Sequence, residues 1–125
     1  MKILIIEDSS EKYMAIHRVL KSMGAGNPTW VTNLQDGLKL IVEEENKSEP
    51  FDFVITDMNY PPASGAPSDY RSGKKLAEAI LEQGLSPKVV LCSSQRYEIS
   101  GVHACIWYSK FGDWEGDLRR IITAR

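Results

Sequence analysis

Two short runs of this chain are apolar almost throughout and then stop on acid. Ile3-Leu4-Ile5-Ile6 runs into Glu7-Asp8, and Phe51-Asp52-Phe53-Val54-Ile55-Thr56 runs into Asp57. Strands that lack polar alternation are buried on both faces, which in practice means a parallel sheet covered by helices. In an open parallel sheet the carboxyl ends of the strands line the crevice where ligands bind. Two strands that deliver Glu7, Asp8 and Asp57 to one rim therefore suggest a site for a hard cation.

Bulk properties exclude several classes. The chain has 125 residues, enough for one domain with a real core. Its net charge of -2 gives no electrostatic case for nucleic acid or an anionic membrane. No apolar stretch approaches the ~20 residues of a membrane span. Met1 leads straight into a strand, so no signal peptide is expected and the reading is cytoplasmic. Cys92 and Cys105 fall inside expected buried strands and read as small hydrophobes in a reducing compartment.

Strands and helices alternate. Residues 2–6 read as a strand and 10–23 as a helix capped by Ser9 or Ser10, with Tyr13, Ile16, Leu20 and Met23 on its apolar stripe. Gly24, Gly26 and Pro28 end it. A short strand over 29–32 precedes a helix capped by Asn33, with Leu34, Leu38, Ile41 and Val42 on one face and a solvated acidic tail at Glu43-Glu44-Glu45. After the strand ending at Asp57, residues 61–72 are rich in Pro, Gly and Ser and read as a loop. A helix follows over about 73–83 (Leu76, Ala77, Ile80, Leu81), then strands over 88–92 and 104–108. The last helix starts near Asp113 and turns Trp114, Leu118, Ile121 and Ile122 inward. Trp30 and Trp114 read as core aromatics, His17 and His103 as structural, and Asp36, Asp69 and Asp113 as cap or loop acids.

Right-handed crossovers leave few ways to connect such elements. The expected result is a three-layer, flavodoxin-like α/β sandwich with a five-stranded parallel sheet in the order 2-1-3-4-5. Its switch point falls between strands 1 and 3, the two that end on acid. Strand 4 ends at Ser93-Ser94, and Lys110 follows strand 5. Clustered carboxylates repel, and Mg2+ relieves that repulsion while keeping room for a phosphate oxygen. A hydroxyl and an ammonium alongside suit a phosphoryl group carried on Asp57 as nucleophile.

With those residues in place, the chain resembles the receiver domain of two-component response regulators. The matching segments are Ile3 to Ser9, Val54 to Pro61, Val89 to Ser94 and Tyr108-Ser109-Lys110, and the likeness spans essentially the whole chain. The resemblance implies that Asp57 is the phosphoacceptor. It implies that Asp8, Asp57 and the Asn59 carbonyl hold Mg2+, with Glu7 acting through water. Ser93 would be the switch hydroxyl, Lys110 the partner of a phosphoryl oxygen, and Trp107 the switch aromatic. Asn59 and Gln95 match two positions that tune dephosphorylation. Implied partners are a histidine kinase or phosphotransfer protein, a downstream protein target, and a homodimer through the 4-5 face. No conventional enzyme is implied, only self-phosphorylation from phosphodonors and autodephosphorylation.

The departures are specific. Lys110 is followed by Phe111 where the family usually has a cis proline. A non-proline cis bond costs ~2.5–4 kcal/mol, so a trans peptide and a re-aimed loop are expected. Residues 62–71 form an insertion of roughly eight residues beside the crevice, either a solvated loop or a lid or docking surface. Residues 94–103 are too few for a full fourth helix, so one or two turns at most are expected. Tyr97, Ile99, Val102 and Trp107 would then either fold inward or form a partner patch.

The reading is a stand-alone receiver, a single domain over 1–125 with no output module after Arg125, that signals through altered protein contacts. The alternative is a pseudo-receiver, the same fold used as a phosphorylation-independent interaction module. An aspartate-based phosphohydrolase or a Toprim-like metal site wants a second Asp where this chain has Asn59, a poor proton donor.

Overall fold

The computed structural model describes residues 1–124. Its elements are β1 (Ile3–Ile6), α1 (Ser10–Ser22), β2 (Thr29–Val31), α2 (Leu34–Asn46), β3 (Phe53–Thr56), α3 (Ser72–Glu82), β4 (Lys88–Ser93), β5 (Ala104–Trp107) and α4 (Trp114–Ala124). The strands pair in parallel in the order β2-β1-β3-β4-β5, as the sequence predicts.

Successive strand side chains point to opposite faces, and this splits the core in two. Ile3, Ile5, Phe53, Ile55, Val90 and Cys92 pack against Ile16, Leu20, Leu118 and Ile122 of α1 and α4. Leu4, Ile6, Val54 and Val89 pack against Ile41, Leu76 and Ile80 of α2 and α3. Three helix starts, those of α1, α2 and α4, are set by a short polar side chain that takes an orphan amide, whereas α3 follows Arg71 with no side-chain cap. Ser9 accepts from the Lys12 amide at 3.3 Å, Asn33 from the Asp36 amide at 2.9 Å, and Asp113 from the Gly116 amide at 3.0 Å.

Between β4 and β5 there is no helix at all, where the sequence reading allowed a turn or two. Ten residues must leave one strand and re-enter beside it, and the chain spends them on an irregular crossing. One face of β5 is therefore uncovered. Cys105, expected to be buried, is exposed on that face, as is Leu81 on the neighbouring α3. Val102 folds inward onto the α2/α3 core, while Trp107 is only half-buried. The Trp107 indole donates to the Ser94 carbonyl at 3.0 Å and lies 4.8 Å from the Arg96 guanidinium.

Trp30 is also not a core residue. It is 38% exposed, because β2 is a short edge strand. It stacks on Tyr13 at 4.0 Å and donates from Nε1 to the Glu7 carbonyl at 2.7 Å. Among the described residues no helix is long and apolar enough to cross a membrane.

Candidate functional site

β1 and β3 are neighbours, and their registered ends place Glu7, Asp8 and Asp57 together. One carboxylate oxygen from each lies within 4.8 Å of the others. They sit in a cleft of about 740 Å3 that also takes in Asn59, Ser93, Ser94, Gln95, Ser68, Tyr70, Tyr97 and Tyr108. Asp8 and Asn59 are exposed at its mouth, Asp57 is half-buried, and Glu7 is buried.

Asp57 is held by backbone and side-chain geometry. Its amide donates to the Ile6 carbonyl at 3.2 Å, and its Oδ1 accepts from the Met58 amide at 2.7 Å. The Thr56 hydroxyl donates to the Asp57 carbonyl at 2.7 Å and lies 2.8 Å from the Tyr60 phenol oxygen. Glu7 Oε2 accepts from the Ser9 amide at 3.0 Å, while Oε1 is buried and faces the Lys12 ammonium. Burial raises the Glu7 pKa above the ordinary value, against the pull of Lys12. Three carboxylates whose oxygens converge within 4.8 Å are a donor set suited to a hard divalent cation.

The cation in the cleft comes from a residue the sequence reading passed over. Lys12, in the first turn of α1, is buried. Its Nζ lies 2.9 Å from Glu7 Oε1 and 3.3 Å from Asp57 Oδ2, and it donates to the Cys92 carbonyl at 2.5 Å. The Tyr108 ring lies beneath it at 5.3 Å. Burial opposes the charge, but Cys92, Glu7 and Asp57 outweigh it, so the Lys12 pKa stands above the usual lysine value. One signal for Lys12 was present: it stands one turn before Ile16 on the stripe that carries Val19 and Leu20.

Lys110, by contrast, is not among the residues lining the cleft. It is exposed in the turn after β5, with its ammonium 5.4 Å from the Phe111 ring. No cis peptide occurs among the described residues. The turn is closed by Ser109, whose carbonyl accepts from the Gly112 amide and whose hydroxyl accepts from the Phe111 amide. Trp107 lies outside the cleft as well. Ser93 is buried at the end of β4, and its Oγ accepts from the Gln95 amide at 3.2 Å. Gln95 in turn accepts at Oε1 from the Tyr97 hydroxyl at 2.9 Å.

The inserted loop is tied down. Asp69 bridges back to Tyr60, and the Ser72 hydroxyl donates to the Tyr60 carbonyl at 2.6 Å. The carbonyls of Pro61 and Pro62 accept from the Leu34 and Gln35 amides, which fastens the loop to the start of α2. Ser68 and Tyr70 reach the cleft wall from this loop.

Solved structures with this architecture cover nearly the whole chain. A DNA-binding response regulator of the LuxR family from Staphylococcus aureus is 21% identical with a TM-score of 0.65, over 98% of this chain and 96% of that one. The fold is that of response regulator receivers. The response regulator TrrA from Thermotoga maritima, solved in complex with Mg2+ and BeF, is 18% identical with a TM-score of 0.68, over 96% of this chain and 97% of that one. The receiver domain of the histidine kinase CKI1 from Arabidopsis thaliana, complexed with Mg2+ and BeF3-, is 16% identical with a TM-score of 0.67, over 98% and 89%. No family model matches the sequence, and no curated protein matches it. On this receiver fold, the Glu7, Asp8 and Asp57 carboxylates stand at the switch point between β1 and β3.

Proposed function

We propose that the domain is a phosphorylation-dependent signalling receiver. Asp57 accepts a phosphoryl group from a histidine kinase or phosphotransfer protein, and the change is passed to another protein through altered contacts. The observation that carries this reading is the meeting of Glu7, Asp8 and Asp57 at the switch point of a receiver fold. Mg2+ fits the all-oxygen donor set; Asp8, Asp57 and the Asn59 carbonyl would hold it, with Glu7 behind them. When bound, it supplies neutralisation of charge on the phosphoryl oxygens.

The chain's own residues do the rest. An Asp57 carboxylate oxygen forms the new bond to phosphorus as the donor's bond breaks, and that electron pair leaves with the donor. The Met58 amide holds Oδ1 and so orients the carboxylate. Ser93, at the end of β4, would give its hydroxyl proton to a phosphoryl oxygen, since its Oγ only accepts from the Gln95 amide. A shift of Ser93 toward the phosphoryl group would pull on the 94–103 segment, whose Ser94 carbonyl holds the Trp107 indole. Gln95 and Asn59, both on the cleft wall, are positioned to tune water access and hence dephosphorylation. Signalling would then run through the β4-β5 face to a downstream protein or a second copy.

Incubation with acetyl phosphate and Mg2+, read by intact mass, tests the reading. One added phosphoryl group on the wild type and none on Asp57→Asn is the expected result. An unmodified wild type that still binds Mg2+ would overturn it. The second reading, a phosphorylation-independent interaction module, draws on the exposed Lys110 and the lack of a helix between β4 and β5.

A further inference from the structure

We propose that Lys12 is the resident ammonium of this site: it offsets the Glu7 and Asp57 carboxylates and donates to the phosphoryl group on Asp57, the place expected for Lys110. The phosphoryl part of this assignment rests on the phosphoacceptor reading above.

Three contacts fix the ammonium. Glu7 Oε1 lies 2.9 Å away, Asp57 Oδ2 lies 3.3 Å away, and the Cys92 carbonyl accepts at 2.5 Å. The Tyr108 ring adds a π-face below it. The side chain cannot reach water freely, so its charge acts at low local dielectric. Lys110 has none of these partners; its turn points it at solvent beside Phe111.

Charge balance supports the assignment. Three carboxylates and one ammonium leave two negative charges, which one divalent cation neutralises. Lys12 reaches Glu7 and Asp57 from the β4 side, whereas Asp8 and Asn59 stand exposed at the mouth. The ammonium and a metal therefore address different parts of the acid cluster. During transfer Lys12 keeps its proton and gives a hydrogen bond to a phosphoryl oxygen, stabilising charge on the transferring group. The Cys92 carbonyl directly precedes Ser93, so any shift of the ammonium toward the phosphoryl group loosens a tether on the strand end that carries the switch hydroxyl.

Two measurements on K12M, K12Q and K110A test this. The first is Mg2+ affinity by tryptophan fluorescence, with the metal alone and no phosphodonor. Removing a cation from beside the carboxylates should tighten Mg2+ binding about tenfold in K12M and K12Q, with K110A within about twofold of wild type. The second is the rate of adduct formation from acetyl phosphate. K12M should be about 10²-fold slower, with K110A close to wild type. If K110A shows the tightening and the slow rate while K12M and K12Q behave as wild type, the assignment to Lys12 is wrong and the phosphoacceptor reading stands. If the wild type takes no phosphoryl group, that reading fails and the phosphoryl part falls with it. The Mg2+ arm then decides the ammonium by itself: tightening in K12M and K12Q supports it, and unchanged affinity overturns it.

Discussion

The Gly73 amide donates to the Met58 carbonyl at 2.9 Å, so the start of α3 is pinned to the residue directly after Asp57. The two backbones touch here. A Cβ on Gly73 would collide with the Asp57 carbonyl oxygen and would lie 2.8 Å from the Met58 Cα. Inside a helix, Gly to Ala ordinarily stabilises by about 1 kcal/mol. At this position the sign reverses, because backbone cannot step aside as a side-chain tip does.

Gly73→Ala is expected to lose about 1–3 kcal/mol in urea unfolding and to weaken Mg2+ binding, since Asp57 must shift. Gly37→Ala is the control. Its Cβ would meet Ile6 Cδ1 at 2.5 Å, a side-chain end rather than backbone, so a smaller loss than in Gly73→Ala is expected. Equal losses in both variants would refute the distinction.

Alkaline pH should unfold the domain through two buried acids. Burial pushes the Tyr60 phenol well above its ordinary value of 10.0, and burial pushes the Cys92 thiol up to about 12 from 9.0. A folded-state pKa above the unfolded one means a contribution that is complete below the unfolded value and lost as pH rises through the folded one. Stability from these groups is therefore full below about pH 9 and drains above it. Urea midpoints measured from pH 8 upward should fall, and the late step in phenolate absorbance should be missing in Tyr60→Phe. A midpoint flat through that range would contradict the burial of both groups.

The two thiols should differ sharply in native protein. Cys105 is exposed on the open face of β5, and Cys92 is buried under α1. A thiol reagent at neutral pH should label one cysteine when folded and both when denatured. Cys105→Ser should abolish native labelling; labelling that survives it would show Cys92 to be accessible.

Ser72 closes the inserted loop. Its hydroxyl donates to the Tyr60 carbonyl, which also accepts from the Asp69 amide at 3.1 Å. Because one partner remains, Ser72→Ala should cost only about 1 kcal/mol in unfolding. Cleavage by a protease between 62 and 70 should quicken nonetheless, since the loop loses one of its two ties at Tyr60. Unchanged cleavage would mean the Asp69 bridge suffices.

The sheet was legible from local pattern because it depends on local pattern. Ile3 to Ile6 and Phe53 to Thr56 are apolar on both faces, and only a covered parallel sheet accepts such strands. Glu7, Asp8 and Asp57 follow from strand ends, so their meeting was readable once the strand order was. Ser9, Asn33 and Asp113 announced their helices by cap chemistry.

What escaped depends on neighbours distant in the chain. Cys105 and Leu81 looked like core because their types say so, yet the absent helix between β4 and β5 leaves them uncovered. Trp30 is half outside because its strand is an edge. Lys110 was expected at the site from sequence resemblance, but the turn around Phe111 aims it at solvent. Lys12 looks like an ordinary charge on an amphipathic helix, and only the stacking of α1 over the ends of β1, β3 and β4 brings its ammonium between Glu7, Asp57 and the Cys92 carbonyl. Residue type and spacing set the strands, the caps and the acids. The choice of which lysine faces the acids lay in tertiary packing, because the direction of a long flexible side chain is decided by what surrounds it.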